Sequence, residues 1–300
     1  MMTTDELRER VRRGQGFIAA LDQSGGSTPK ALRGYGLEDD AWSDDQQMFA
    51  LIHEMRSRIV TSPVFTGDKV LGAILFERTM DGQADGRPMP ALLHERGVVP
   101  FLKIDKGLED EANGVQRMKP IDGLGALLER AGGLGVFGTK ERSVINKADE
   151  RGIRDIVEQQ FELADRVLDA GLVPIIEPEV TITSDDRADS DRLLTKALLD
   201  ALDGRPEGRE VMLKLSLPVE CGAYEALVDH PGVLKVVALS GGYGREDACR
   251  ELARNEGLIA SFSRALLNDL RVTMSDEEFD ATLAQAIDAI YKASVEKVAA

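Results

Sequence analysis

Val211-Met-Leu-Lys214-Leu-Ser-Leu217 is a strand-length apolar run that does not alternate with polar residues and carries one lysine at its centre. A strand with one face in water alternates, whereas a continuous Val/Ile/Leu run belongs to a parallel strand covered on both faces. Moving outward, runs of the same kind recur at 172–176 and 136–138 on one side and at 234–239 and 258–262 on the other. Three more lie at 16–21, 70–76 and 98–104. Stretches of helical period fall between them, at 46–60, 153–170, 190–202 and 245–255. Eight strand–helix repeats in 300 residues predict one (β/α)8 TIM barrel over residues 1–300, in preference to an open doubly wound sheet.

The stretch 275–298 predicts a helix that closes the barrel's outer ring. Ser275 and Glu278 have capping-box spacing, and Phe279, Leu283, Ile287, Ile290 and Val295 keep a helical period. Segments 81–94 and 105–127 read instead as long, polar, glycine-bearing connections at the active-site end.

Composition narrows the class. Hydrophobic residues make up 43% and charged residues 30%, which excludes a disordered or membrane-embedded chain. No apolar run approaches the roughly 18–20 residues of a membrane span. The first fifteen residues lack the apolar core of a signal peptide, so a cytoplasmic location is expected. Cys221 and Cys249 lie far apart without Cys-x-x-Cys spacing and are expected as reduced thiols. A net charge of −16 argues against nucleic acid as a partner. Small phosphates are still admitted, because a few cations in a pocket outweigh distant surface charge. His53, His94 and His230 are scattered and form no spaced pair, so no metal site is expected. A homo-oligomer is compatible with the sequence, although no interface pattern marks one.

In such a barrel, residues at the C-terminal ends of strands meet at one mouth. The first run ends in Asp22, the third carries Lys103 and Asp105, and the fourth runs into Lys140 and Arg142. The fifth ends in Glu177 and Glu179, the seventh in Ser240-Gly241-Gly242, and the eighth in Ser261-Phe-Ser-Arg264. Lys214 stands out because burying an ammonium is costly unless it is paired or deprotonated. Desolvation and a nearby cation such as Lys140 both favour a neutral amine, the form that attacks a ketone. The alternative is a structural lysine paired with Glu177 or Glu179 across the barrel. Those two glutamates, two residues apart, point the same way in an extended segment, which suits one of them to acid/base work. The serines and glycines after the seventh and eighth strands, with Arg264, suit phosphate binding. Asp22-Gln-Ser24-Gly-Gly-Ser27 lacks the Gly-Lys-Ser/Thr ending of a nucleotide loop, leaving a second phosphate or hydroxyl contact or an ordinary turn.

Taken in order, these stretches resemble class I fructose-bisphosphate aldolases in their shorter bacterial form. The resemblance rests on Gly16-Phe-Ile-Ala-Ala-Leu-Asp22-Gln-Ser-Gly-Gly-Ser27, Leu102-Lys103-Ile-Asp105-Lys-Gly107, Gly138-Thr-Lys140-Glu-Arg142, Val173-Pro-Ile-Ile-Glu177-Pro-Glu179, Met212-Leu-Lys214-Leu, Leu239-Ser240-Gly-Gly242 and Ser261-Phe-Ser-Arg264. It implies a carbon–carbon lyase that needs no cofactor and acts on a sugar phosphate, with fructose 1,6-bisphosphate as the first expectation. Another ketose phosphate, such as tagatose 1,6-bisphosphate, is the alternative, and a non-catalytic sugar-phosphate binder is disfavoured by the presence of Lys214 and Glu177. By this resemblance Lys214 would form the Schiff base, Glu177 would move protons, Asp22 would take the C4 hydroxyl proton, and Lys140 would stabilise anionic intermediates. Glu179 would pair with the lysines, Lys103 and Arg142 would line the pocket, and Ser240, Gly241, Gly242, Ser261 and Arg264 would hold a phosphate. Longer animal members end in a tail tyrosine that assists enamine protonation. Here the sequence ends at Ala300, and Tyr291, inside the last helix, is expected to be a packing residue.

Overall fold

The computed structural model describes residues 2–298, and Ala300 therefore lies outside the described residues. Eight parallel strands follow one another around a barrel in chain order. They are β1 Phe17–Leu21, β2 Val70–Leu75, β3 Val99–Lys103, β4 Gly138–Ile145, β5 Val173–Val180, β6 Val211–Ser216, β7 Val233–Leu239 and β8 Ile259–Ala260. The ring closes where the Ala20 N–H donates to the Phe262 carbonyl at 3.1 Å. Every residue of β1, β2 and β6 is buried, as their unbroken apolar character requires. This is the (β/α)8 barrel that the sequence predicts.

The barrel interior is filled by side chains. Phe101 of β3 sits between two glycines of neighbouring strands: a Cβ on Gly72 or Gly138 would come within about 3.0 Å of its ring. Phe137 meets it edge-on, with ring centroids 5.6 Å apart. Leu7 and Val11 join this interior cluster from the N-terminal helix Thr4–Arg13, which plugs the end of the barrel remote from the mouth. The sequence marks that segment only as a polar end. It is in fact an amphipathic helix started by a Thr3/Glu6 capping box.

A second apolar layer lies between the barrel and the surrounding helices. Helix Asp276–Val295 contributes Phe279, Leu283, Ile287 and Ile290, and its Ser275/Glu278 capping box is formed. Tyr291 packs, partly buried, against this layer.

Several boundaries differ from expectation. The run at 136–138 reaches only the first residue of β4, which begins at Gly138 and continues to Ile145. Glu177 and Glu179 lie inside β5, not beyond its end. β4 carries polar residues on both faces and β5 carries its two glutamates on one, so in each the apolar run ends before the strand does. In β4, Lys140 and Arg142 face the mouth while Ser143 faces helix Glu150–Asp169, where it accepts a hydrogen bond from Gln160. The final strand is shorter than its run, which frees Ser261 to Arg264 from the sheet. Segments 81–94 and 105–127 are not plain connections. The first holds a Gln83–Ala84/Arg87–Pro88 hairpin and helix Met89–Glu95, and in the second Val115–Gln116 pairs antiparallel with the end of β4.

Candidate active site

The mouth of the barrel opens into a cavity of about 940 Å³. Lys214, in the middle of β6, is 4% exposed, and its Nζ lies 2.9 Å from Oε1 of Glu177. Oε2 of the same carboxylate lies 2.9 Å from Lys140 Nζ, which also sits 2.7 Å from Asp22 Oδ2 and 3.9 Å from Asp105 Oδ2. The acid that β6 lacks is thus supplied by the adjacent strand β5. Lys214, Glu177, Lys140 and Asp22 form one unbroken chain of alternating charge.

Opposite charges decide the protonation states. Burial alone would raise the Asp22 carboxyl, but Lys140, Lys214 and Lys103 overcome it and hold it well below its usual value. Glu177 behaves likewise: burial raises it, and Lys140 and Lys214 pull it lower. Burial would lower Lys140, but Asp22, Glu177 and Asp105 together raise it, so it stays cationic.

Around this chain, Lys103 Nζ contacts Asp105 Oδ1 at 2.7 Å. Glu179 pairs with Arg142 at 2.7 Å. That corrects the expected pairing of Glu179 with the lysines: those point toward Glu177, while Glu179, one strand turn further out, meets the guanidinium of the neighbouring strand. After β7, Gly241 and Gly242 adopt φ of +60° and +138° and bring the backbone round beside Ser240. Arg264 reaches back so that its Nη2 is 3.5 Å from where a Cβ on Gly242 would stand. Among the described residues, the buried Ser261 hydroxyl has no protein partner. Ser24 and Ser27 are joined in a turn, the Ser27 hydroxyl accepting from Ser24 N–H at 3.0 Å and donating to its carbonyl at 2.9 Å.

All the site residues expected from sequence line this one cavity except Gly242, which stands just behind Arg264. The sequence reading gave no role to Gln23 or Lys106, which also line it. The lining carries seven Lys or Arg side chains against four Asp or Glu. In a protein of net charge −16, that local excess of cations marks a pocket for an anionic ligand. The histidines are elsewhere: His53 contacts the Gln83 carbonyl, His94 the Gly135 carbonyl, and His230 Asp203.

The family model described as fructose-bisphosphate aldolase class-I matches residues 4–216, from the N-terminal helix through β6. The chain belongs to the class-I fructose-bisphosphate aldolase family. Among solved structures, the fructose-bisphosphate aldolase of Plasmodium falciparum superposes with a TM-score of 0.79 at 22% identity, over 99% of this chain and 96% of that one. The same architecture is thereby shared at low identity. A putative orotidine-monophosphate decarboxylase of Toxoplasma gondii aligns over 97% of this chain and 96% of that one, at 12% identity and a TM-score of 0.42. The aldolase match takes in Asp22, Lys103, Lys140, Arg142, Glu177, Glu179 and Lys214, and stops before Ser240, Ser261 and Arg264. Among the described residues of this aldolase-family chain, no helix is long and apolar enough to cross a membrane.

Proposed function

We propose that this member of the aldolase family reversibly cleaves fructose 1,6-bisphosphate to dihydroxyacetone phosphate and glyceraldehyde 3-phosphate through a Schiff base on Lys214, as in glycolysis and gluconeogenesis. The observation that carries the proposal is the buried Lys214 amine, 2.9 Å from a glutamate that also touches Lys140. A lysine held in this way has a proton acceptor in contact and a second cation one carboxylate away.

Transfer of the Lys214 proton to Glu177 yields a neutral amine and a carboxylic acid in one step. The amine attacks the C2 ketone, and Glu177 then protonates the departing hydroxyl as the carbinolamine becomes an iminium. Lys140, kept cationic by its carboxylates, stabilises negative charge on that oxygen. Asp22, kept ionised, takes the C4 hydroxyl proton, and the C3–C4 electron pair moves into the iminium to form an enamine. Glyceraldehyde 3-phosphate leaves. Protonation at C3 and hydrolysis release dihydroxyacetone phosphate and restore Lys214. Ser240, Gly241, Gly242, Ser261 and Arg264 hold the phosphate of the dihydroxyacetone half, and Ser24, Ser27, Lys103 and Arg142 line the rest of the pocket.

Borohydride reduction in the presence of dihydroxyacetone phosphate, read by mass spectrometry, tests the reading. The expected result is one adduct, on Lys214, that Lys214→Met abolishes. No adduct, or activity removed by a chelator, overturns it. Parallel rates on fructose and tagatose bisphosphates fix the configuration accepted at C4.

A further inference from the structure

Helix Asp45–Thr61 packs behind the loop that carries Asp22, and its buried stripe of Met48, Ile52, Met55 and Ile59 includes a charged residue, Arg56. Arg56 is 0% exposed. A guanidinium this deep is ordinarily matched by a carboxylate fork. Arg56 instead finds only neutral partners among the described residues. Its Nη1 donates to the Thr79 hydroxyl at 2.8 Å, and its Nη2 donates to the Gln23 carbonyl at 2.5 Å and lies 3.3 Å from the Gln23 side-chain oxygen. Nε has no partner among the described residues. Burial pulls its pKa down to about 10, with the charge of Asp22 offsetting part of the loss. It therefore remains a cation at neutral pH, and the anion that answers it is Asp22, next to Gln23 in the chain.

Gln23 passes the contact on. Its Nε2 donates to the Ala20 carbonyl at 3.1 Å and to the Ser263 hydroxyl. The chain Arg56–Gln23–Ser263 thus joins the residue after Asp22 to the residue before Arg264. A planar fork that holds one hydroxyl and one backbone carbonyl fixes a loop in a way that an apolar side chain in the same stripe would not.

We infer that Arg56 is a positioning residue: through Gln23 it sets the Asp22 carboxylate for carbon–carbon cleavage and ties that loop to the Arg264 segment. The inference rests on the Schiff-base reading above. It divides the reaction in two, because forming the iminium on Lys214 does not need Asp22, whereas breaking the C3–C4 bond does.

The test compares Arg56→Met, Arg56→Lys and Gln23→Met with the wild-type chain, after circular dichroism and thermal melting establish folding. Borohydride trapping of dihydroxyacetone phosphate on Lys214 should persist in all three. Cleavage of fructose 1,6-bisphosphate should fall by about 10²-fold in Arg56→Met and Gln23→Met, the scale of a reacting group displaced by about 1 Å. Arg56→Lys should recover part of it, since one ammonium keeps the charge but not both contacts. If Arg56→Met does not fold, Gln23→Met decides by the same readout, because it leaves the helix untouched. Wild-type cleavage rates in folded variants that still trap, or trapping lost in step with cleavage, overturn this inference alone. A wild-type chain that is not trapped at Lys214 overturns the Schiff-base reading and this inference with it.

Discussion

Asp22, just past β1, and Lys140, inside β4, face each other across the barrel mouth with Oδ2 and Nζ 2.7 Å apart. The strands are not neighbours, so the pair closes a span that no backbone hydrogen bond bridges. Removing Lys140 would leave two buried carboxylates, Asp22 and Glu177, short of a cation. Lys140→Met should therefore destabilise the fold by about 3–5 kcal/mol. Asp22→Asn added to it should restore part of that loss. Urea unfolding of both single variants and the double variant measures the coupling, and strict additivity would show that the pair carries none.

Acid should act on the same cluster. Asp22 and Glu177 have folded values below their usual 3.8 and 4.5, burial opposing the shift and Lys140 and Lys214 imposing it. Their stabilisation is complete above those usual values and is lost as pH falls through the lowered folded ones. Lys140 is raised above its usual 10.5, so its share is complete below that value and is lost only as pH rises through the folded one. Melting temperatures should drop below about pH 4 in the wild type. The drop should be shallower in Asp22→Asn, and equal slopes in the two proteins would contradict the assignment.

Glu141 gives the opposite sign. It is fully buried on β4, accepts from the Thr139 hydroxyl at 3.1 Å and leaves Oε1 unpartnered among the described residues. Burial pushes its carboxyl well above 4.5, with Asp105 and Glu177 adding to the rise and Thr139 and Lys140 opposing it. A raised carboxyl contributes most below its unfolded value, and the contribution is lost as pH climbs toward the folded one. Each pH unit in that range removes about 1.4 kcal/mol. Glu141→Gln should accordingly stabilise the protein more at pH 8 than at pH 5, as chemical denaturation at the two pH values would show.

How much of this was readable in advance follows from the faces of individual strands. Lys214 was legible because it interrupts an apolar run, and β6 is buried along its whole length. β4 was misplaced because Thr139 to Ser143 is a polar stretch whose two faces are both buried, one at the mouth and one against the helices. Alternation along that strand could still have found Glu141: with Lys140 and Arg142 turned inward, the residue between them must turn outward into the helix layer. Arg56 carried a signal of its own, standing four residues after Ile52 and three before Ile59 on the buried stripe. The link from Gln23 to Ser263 had none, since the two lie 240 positions apart and only barrel closure brings them together.

Glu177→Gln separates proton transfer from binding. The amide keeps the shape and its contact with Lys140 but neither accepts nor delivers the proton. kcat should fall by about 10²–10⁴-fold, with KM changing far less. Steady-state rates, with single-turnover trapping of the iminium, check this. A rise in KM at unchanged kcat would make Glu177 a binding residue only.

Gly241 offers the sharpest test of the anion loop. Its φ of +60° suits glycine, and a Cβ there would stand 2.5 Å from Cγ2 of Ile182. Gly241→Ala meets both obstacles, and the backbone strain alone is on the order of 1–3 kcal/mol. The chain relieves it by moving the loop, and that displaces the backbone from Ser240 and Arg264. If this loop holds a substrate phosphate, about 1.4 kcal/mol of lost contact appears as a roughly tenfold rise in KM. Inorganic phosphate should lose potency as a competitive inhibitor in parallel. Trimming the neighbour in Gly241→Ala/Ile182→Ala removes the clash but not the strained φ, so it should recover KM only in part. A variant that melts earlier yet binds substrate and phosphate as tightly as the wild type would show that the loop serves the fold and not the ligand.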